Sequence, residues 1–179
     1  MIRPLLFSLA CAVFAHAAVA GTPSKQALGG LPQVSFPAAH RVAAGGLQPG
    51  DVALLKDAGI RQVIDLRADS ETPDFDEAAA VRAAGMAYHG LPIRGAGDLS
   101  FERVRQFDQL LRSAGQQDTL VHCASSNRVG AMIALRAAMI DGQPIEAAVR
   151  EGRRWGLKSL EPAVREQWQA WSARRQGTP

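Results

Sequence analysis

Along the chain, short apolar runs alternate with stretches whose apolar residues recur every three or four positions. Residues 36–44 predict an extended strand. Pro49 to Ala58 predicts a short helix with Leu54 and Leu55 on its apolar side, stopped at Gly59. Residues 62–67 predict a strand, 74–84 a helix ending at Gly85, and 86–93 a further extended segment with Tyr88 and Leu91 among its apolar positions. Ser100 is placed to cap a helix over 101–114. There Phe101, Val104, Phe107, Leu110 and Leu111 line one face, and Glu102, Arg103, Arg105 and Asp108 the other. A buried strand is expected over 118–123. The helix expected over 129–140 is apolar all round except for Arg136, so it belongs at the centre of the fold. Helices over 145–154 and 161–174 complete the chain, with Trp168 and Trp171 on one face and read as packing residues. This order implies an α/β fold: a central, mostly parallel sheet flanked by helices on both faces.

The length of 179 residues suits one domain. Before the first strand, two segments read differently from a folded core. Residues 1–20 carry one charge, Arg3, then an apolar run and Ala18-Val19-Ala20. That is the pattern of a cleavable secretory signal, and it implies a periplasmic or secreted protein. Residues 21–35, rich in Gly, Pro, Ser and Thr, read as a linker, and the domain proper is expected over 36–179. A net charge of +3 without a large Lys/Arg cluster gives no footprint for nucleic acid. After removal of the signal no stretch is long and apolar enough to span a bilayer.

Of the two cysteines, Cys11 lies in the signal, which leaves Cys123 unpaired in an oxidising compartment. Its surroundings supply a reason. Leu120-Val-His-Cys-Ala-Ser-Ser-Asn-Arg-Val-Gly130 runs from a buried strand through a small polar loop into an apolar helix. In an open α/β sheet, ligands bind off the carboxyl ends of the strands. Ala124, Ser125, Ser126 and Asn127 are small enough for their N–H groups to converge on an anion, together with that of Val129. Arg128 adds a permanent cation at the helix start. Such surroundings favour thiolate over thiol, and the thiolate is the nucleophile. His122 either orients this loop by hydrogen bonding or is a satisfied core histidine. A metal site is not expected, because neighbouring strand residues such as His122 and Cys123 point to opposite faces.

The stretch Val-His-Cys-x-x-x-x-Arg after a buried strand resembles the catalytic loop of cysteine-based phosphatases of the dual-specificity fold. From His40 to Trp168 the chain resembles the bacterial beta-lactamase-hydrolase-like, phosphatase-like domain. The matching pieces are Val42-Ala-Ala-Gly-Gly46, residues 59–67 with Glu71, Tyr88-His89-x-x-Pro92, and residues 122–130. The resemblance implies Cys123 as nucleophile and Arg128 as its anion-binding partner. Arg67 and Glu71 follow a strand expected to end at the same sheet edge: Arg67 reads as helping to hold an anionic donor, and Glu71 as a solvated charge in preference to a salt-bridge partner that orients it. His40 and His89 read as structural.

This sequence departs from the phosphatases it resembles in ways that bear on the reaction. Four residues separate Cys123 from Arg128, where those phosphatases have five and rhodanese-type sulfurtransferases have four. A shorter ring of amides suits the single sulfur of a persulfide better than three phosphoryl oxygens. Val129 stands where a hydroxyl residue follows the arginine, and Arg94 where the resemblance places an Asp general acid; Asp98 is the only acid of that loop and the candidate to substitute. Ser126 replaces a glycine, a poor exchange at φ > 0. The leading expectation is therefore a cysteine-dependent sulfurtransferase moving sulfur from thiosulfate or a persulfide, through a Cys123 persulfide, to a thiol acceptor. The alternatives are a phosphatase acting on a phosphoester through a Cys123 phosphocysteine, and a non-catalytic anion-binding module. None needs a cofactor.

Overall fold

A computed structural model describes residues 25–176. The expected signal, residues 1–20, lies outside the described residues. The segment expected as a linker contributes to the fold. Helix α1 (Lys25–Leu28) leads to Leu31, and both Leu28 and Leu31 are buried in one of the two main apolar clusters.

Five short strands form one sheet: β1 (Ser35–Ala38), β2 (Arg41–Ala44), β3 (Gln62–Asp65), β4 (Ala87–Gly90) and β5 (Thr119–His122). Their spatial order is β1-β2-β5-β3-β4, with β1 antiparallel and every other pairing parallel. The single strand expected over 36–44 is two strands, because His40 turns the chain at φ 58. The His40 side chain fixes this turn to the next strand: its Nδ1 lies 2.8 Å from Asp118 Oδ1.

Helices α2 (Asp51–Asp57), α3 (Glu77–Ala83), α4 (Phe101–Ser113), α5 (Asn127–Met139), α6 (Ile145–Arg154) and α7 (Glu161–Gln176) cover the sheet. The alternation along each strand assigns its two faces. Val42, Ala44, Val63 and Leu120 pack with α1, α2 and α3. Ala43, Ile64 and Val121 pack with α4, α5, α6 and α7. Ser100 caps α4 as expected, accepting from Arg103 N at 3.3 Å. Asp108, expected on the outer face of α4, is buried. It faces α5, where it accepts from Arg136 Nε at 2.8 Å, and it also accepts from Arg112 Nε at 2.7 Å. The polar break in the most buried helix is thus matched by a carboxylate on its neighbour. Trp171 packs on Phe101, with ring centroids 5.7 Å apart.

Helices α5 and α6 cross at Gly130 and Gly152, where any Cβ would meet backbone of the other segment. This crossing brings the α6–α7 connection over the start of α5, beside the loop that follows β5.

Candidate active site

Cys123 directly follows β5, a strand flanked by β2 and β3 in parallel register, and it is fully buried. Three strand ends are tied together at this edge. Leu66 N–H donates to His122 O at 2.9 Å, and Ile93 N–H donates to Leu66 O at 3.0 Å. The chain then turns through Ala124, Ser125 and Ser126 into α5, whose first residue is Asn127.

Ser126 occupies the left-handed region, φ 61 and ψ −8. The serine therefore adopts the conformation expected of a glycine, despite a cost of about 1–2 kcal/mol for a residue with a Cβ. Its surroundings hold it there. Ser126 Oγ donates to Gln33 O at 3.3 Å, and Gly156, at φ 101, lies so close that a Cβ there would strike Ser126. On the other side, Gly46 N–H donates to Ala124 O at 3.2 Å, and Gly45 bridges Ser125. Asn127 does not turn its side chain to the loop. Its Oδ1 accepts from Lys158 N at 2.8 Å and its Nδ2 donates to Ser159 Oγ at 2.8 Å, which stitches the α6–α7 connection to the start of α5. Val129 is buried and supplies no hydroxyl.

Arg128 is held by Glu71 and by the carbonyls of Ile93 and, at 3.4 Å from Nη1, Leu66. Nη1 donates to Glu71 Oε1 at 2.7 Å and Ile93 O at 2.8 Å, and Nη2 donates to Glu71 Oε2 at 2.6 Å. The Glu71 hydrogen bonds, with a further contribution from the Cys123 sulfur, outweigh desolvation and raise the guanidinium above its ordinary value. Glu71 also accepts from Ala68 N at 2.8 Å. The Arg128 hydrogen bond is the main reason its carboxyl sits below the ordinary range. Glu71 is thus a salt-bridge partner and not the solvated charge preferred from sequence, where nothing local points to a partner 57 residues away.

Arg67 is placed differently from expectation. It is buried and committed to carboxylates: Nη2 reaches Asp65 Oδ2 at 3.1 Å and pairs with Glu77 Oε2, and Nε donates to Asp65 Oδ1 at 3.2 Å. Burial alone would lower its pKa; the Asp65 and Glu77 charges more than offset this and raise it. Its first role is to neutralise buried acids beneath the loop. His122 joins the same cluster, with Nε2 2.8 Å from Glu77 Oε1 while Nδ1 finds no partner. Tyr88 OH donates to Asp65 Oδ2 at 3.1 Å, and burial followed by the Asp65 and Glu77 charges pushes the phenol up. The structure thus makes His122 a core histidine bound to an acid. Asp65, Glu77 and His122 each bring one potential ligand atom within 4.8 Å of the others, but the Arg67 guanidinium already engages both carboxylates.

Arg94 and Asp98 lie on the loop after β4. Arg94 N–H donates to Asp98 Oδ2 at 2.7 Å, which fixes the loop beside Ile93, and the Arg94 residue is exposed. Arg94 therefore stands one residue from the carbonyl that holds Arg128.

Residues 36–140 match the family model of the Beta-lactamase hydrolase-like protein, phosphatase-like domain. A Beta-lactamase hydrolase-like protein of Xylella fastidiosa (strain Temecula1) is 34% identical over 89 residues, 48% of this chain and 20% of that protein. The chain therefore matches only a fifth of that relative's length. Among solved structures, a DUF442 phosphatase candidate from Shewanella putrefaciens CN-32 superimposes with a TM-score of 0.67 at 26% identity, covering 84% of this chain and 98% of the other. Kinase associated phosphatase shares the fold alone, with a TM-score of 0.58 at 13% identity, covering 78% and 89%. With its unpaired cysteine at the end of the central strand and its arginine at the head of the following helix, the chain belongs to the Beta-lactamase hydrolase-like protein, phosphatase-like domain family.

Proposed function

We propose that the chain is a cysteine-dependent phosphatase acting on phosphate monoesters through a phosphocysteine at Cys123. The observation that carries this reading is the left-handed turn at Ser126: the loop keeps a glycine-like bend although a serine occupies it. Family and fold support the same chemistry. In the reaction the Cys123 thiolate attacks phosphorus, a P–S bond forms, and the P–O bond to the leaving group breaks with its electron pair. Loop N–H groups, the start of α5 and Arg128 hold the phosphoryl oxygens. Water then attacks the phosphocysteine, releasing inorganic phosphate and the thiolate.

The count of residues between Cys123 and Arg128 favours a second reading, transfer of a sulfane sulfur through a Cys123 persulfide, and Val129 and Arg94 are consistent with it. Two measurements on one preparation separate them. Turnover of 4-nitrophenyl phosphate, lost in Cys123→Ala, supports the phosphatase. A mass gain of one sulfur on Cys123 after thiosulfate, without phosphate turnover, replaces it with the transferase. Export remains part of the proposal and rests on the pattern of residues 1–20.

A further inference from the structure

A phosphate monoester brings close to two negative charges to a site whose arginines are already matched or outnumbered by carboxylates. Arg128 is matched by Glu71, and Arg67 is outnumbered by Asp65 and Glu77. The attacking thiolate of Cys123 adds a further negative charge. Beyond the loop N–H groups and the start of α5, net positive charge to draw a substrate in has to come from outside this inner set.

Two exposed cations stand at its edge, on different loops. Arg94 follows Ile93, whose carbonyl accepts from Arg128 at 2.8 Å, and its backbone is pinned by Asp98. Lys158 is pinned through its own N–H to Asn127 Oδ1 at 2.8 Å, and Asn127 is the residue before Arg128. Both residues are exposed, and among the described residues neither side chain forms an ion pair. Arg153 and Arg165, by contrast, are already matched, both by Glu161 and Arg165 also by Glu146. Arg94 and Lys158 are thus cations with fixed backbones and uncommitted side chains, next to the residue that holds the transferred group.

Resting on the phosphatase reading, we infer that Arg94 and Lys158 form a cationic rim selecting phosphate monoesters whose leaving group carries a second anionic group. Two exposed ion pairs of ordinary strength give roughly a fivefold to tenfold preference. The probes are 3-carboxy-4-nitrophenyl phosphate and its neutral 3-carbamoyl counterpart, compared by kcat/KM at low and high salt. The carboxylate ester is expected to be preferred by about that factor at low salt. The preference should shrink with added salt and fall to near one in the R94Q/K158Q double variant. Equal kcat/KM for the two esters, or a preference that survives in the double variant, overturns the rim. A parallel arm uses Cys123→Ser, with and without the rim substitutions, and measures binding of both esters by calorimetry. If neither ester is turned over, the phosphatase reading falls, while the binding ratio still decides the rim.

Discussion

The Arg128 guanidinium grips the Glu71 carboxylate through both of its terminal nitrogens, at 2.7 and 2.6 Å. Glu71 in turn anchors to Ala68 N, so the cation that faces the reacting sulfur is aimed by the loop after β3. A bidentate charged pair of this kind fixes orientation as well as charge. Glu71→Gln is expected to lower kcat by about 10- to 100-fold, the worth of one charge-assisted hydrogen bond. Its KM should change less. A fall in KM-dependent binding with kcat intact would reassign Glu71 to substrate capture.

The same pair carries a pH dependence. The Glu71 carboxyl is depressed in the folded protein, so its stabilisation is present above the unfolded carboxylate pKa and is lost as pH falls through the lower folded value. Urea unfolding of the wild type and Glu71→Gln from pH 7 to pH 3 measures this. The stability gap between them should be constant near neutrality and close at the acid end. A gap that is the same at pH 3 as at pH 7 would be the contrary result.

Beneath the loop, Arg67 pairs with two buried acids. Arg67→Met leaves Asp65 and Glu77 with an uncompensated charge, and a loss of about 3–5 kcal/mol in unfolding free energy is expected. If Arg67 served only to bind substrate, the variant would keep its stability and raise KM instead. Equilibrium denaturation together with steady-state kinetics distinguishes these outcomes.

Gly156 touches the catalytic loop without belonging to it. Alanine there meets both an unfavourable φ of 101 and the Cβ of Ser126. Gly156→Ala should cost about 2–4 kcal/mol and reduce turnover as Ser126 is displaced. Pairing it with Ser126→Gly, which removes the opposing Cβ, should restore part of both losses. Failure of the pair to recover either would show that the contact does not govern the loop.

With Arg94 in the expected general-acid position and Asp98 bonded to a backbone N–H, leaving groups should depart largely unassisted. Rates across a series of aryl phosphates are expected to rise steeply as the leaving phenol becomes more acidic. Asp98→Asn should leave that slope nearly unchanged. A flat dependence in the wild type that becomes steep in Asp98→Asn would make Asp98 the proton donor.

Much of this was readable from the chain, for reasons tied to range. Helix α4 follows from 3.6-residue periodicity and a local cap, and Cys123, Ser126 and Arg128 lie within one short segment between a strand and a helix. The hairpin of β1 and β2 was read as one strand because the turn rests on a left-handed His40 held by Asp118, 78 residues further on. The solvated-charge reading of Glu71 failed, and Glu77 and Lys158 were missed as parts of the site, for the same reason. Their partners Arg128, His122 and Asn127 are 57, 45 and 31 residues away. The acids Asp65 and Glu77 beneath the loop carry no periodic signature that distinguishes them from surface charges until the sheet brings them together. The packed segment around Leu28 and Leu31 was likewise hidden by a composition typical of loops.

Cys123 hangs from β5, which has a parallel neighbour on each side, whereas Arg94 and Lys158 sit on separate connections at the periphery. On the proposed function and rim, chemistry and recognition are carried by parts of the chain that differ in their tolerance of change. A descendant of this domain could acquire a new substrate by exchanging a few rim side chains, one loop at a time, while the central strand passed on the nucleophile unaltered.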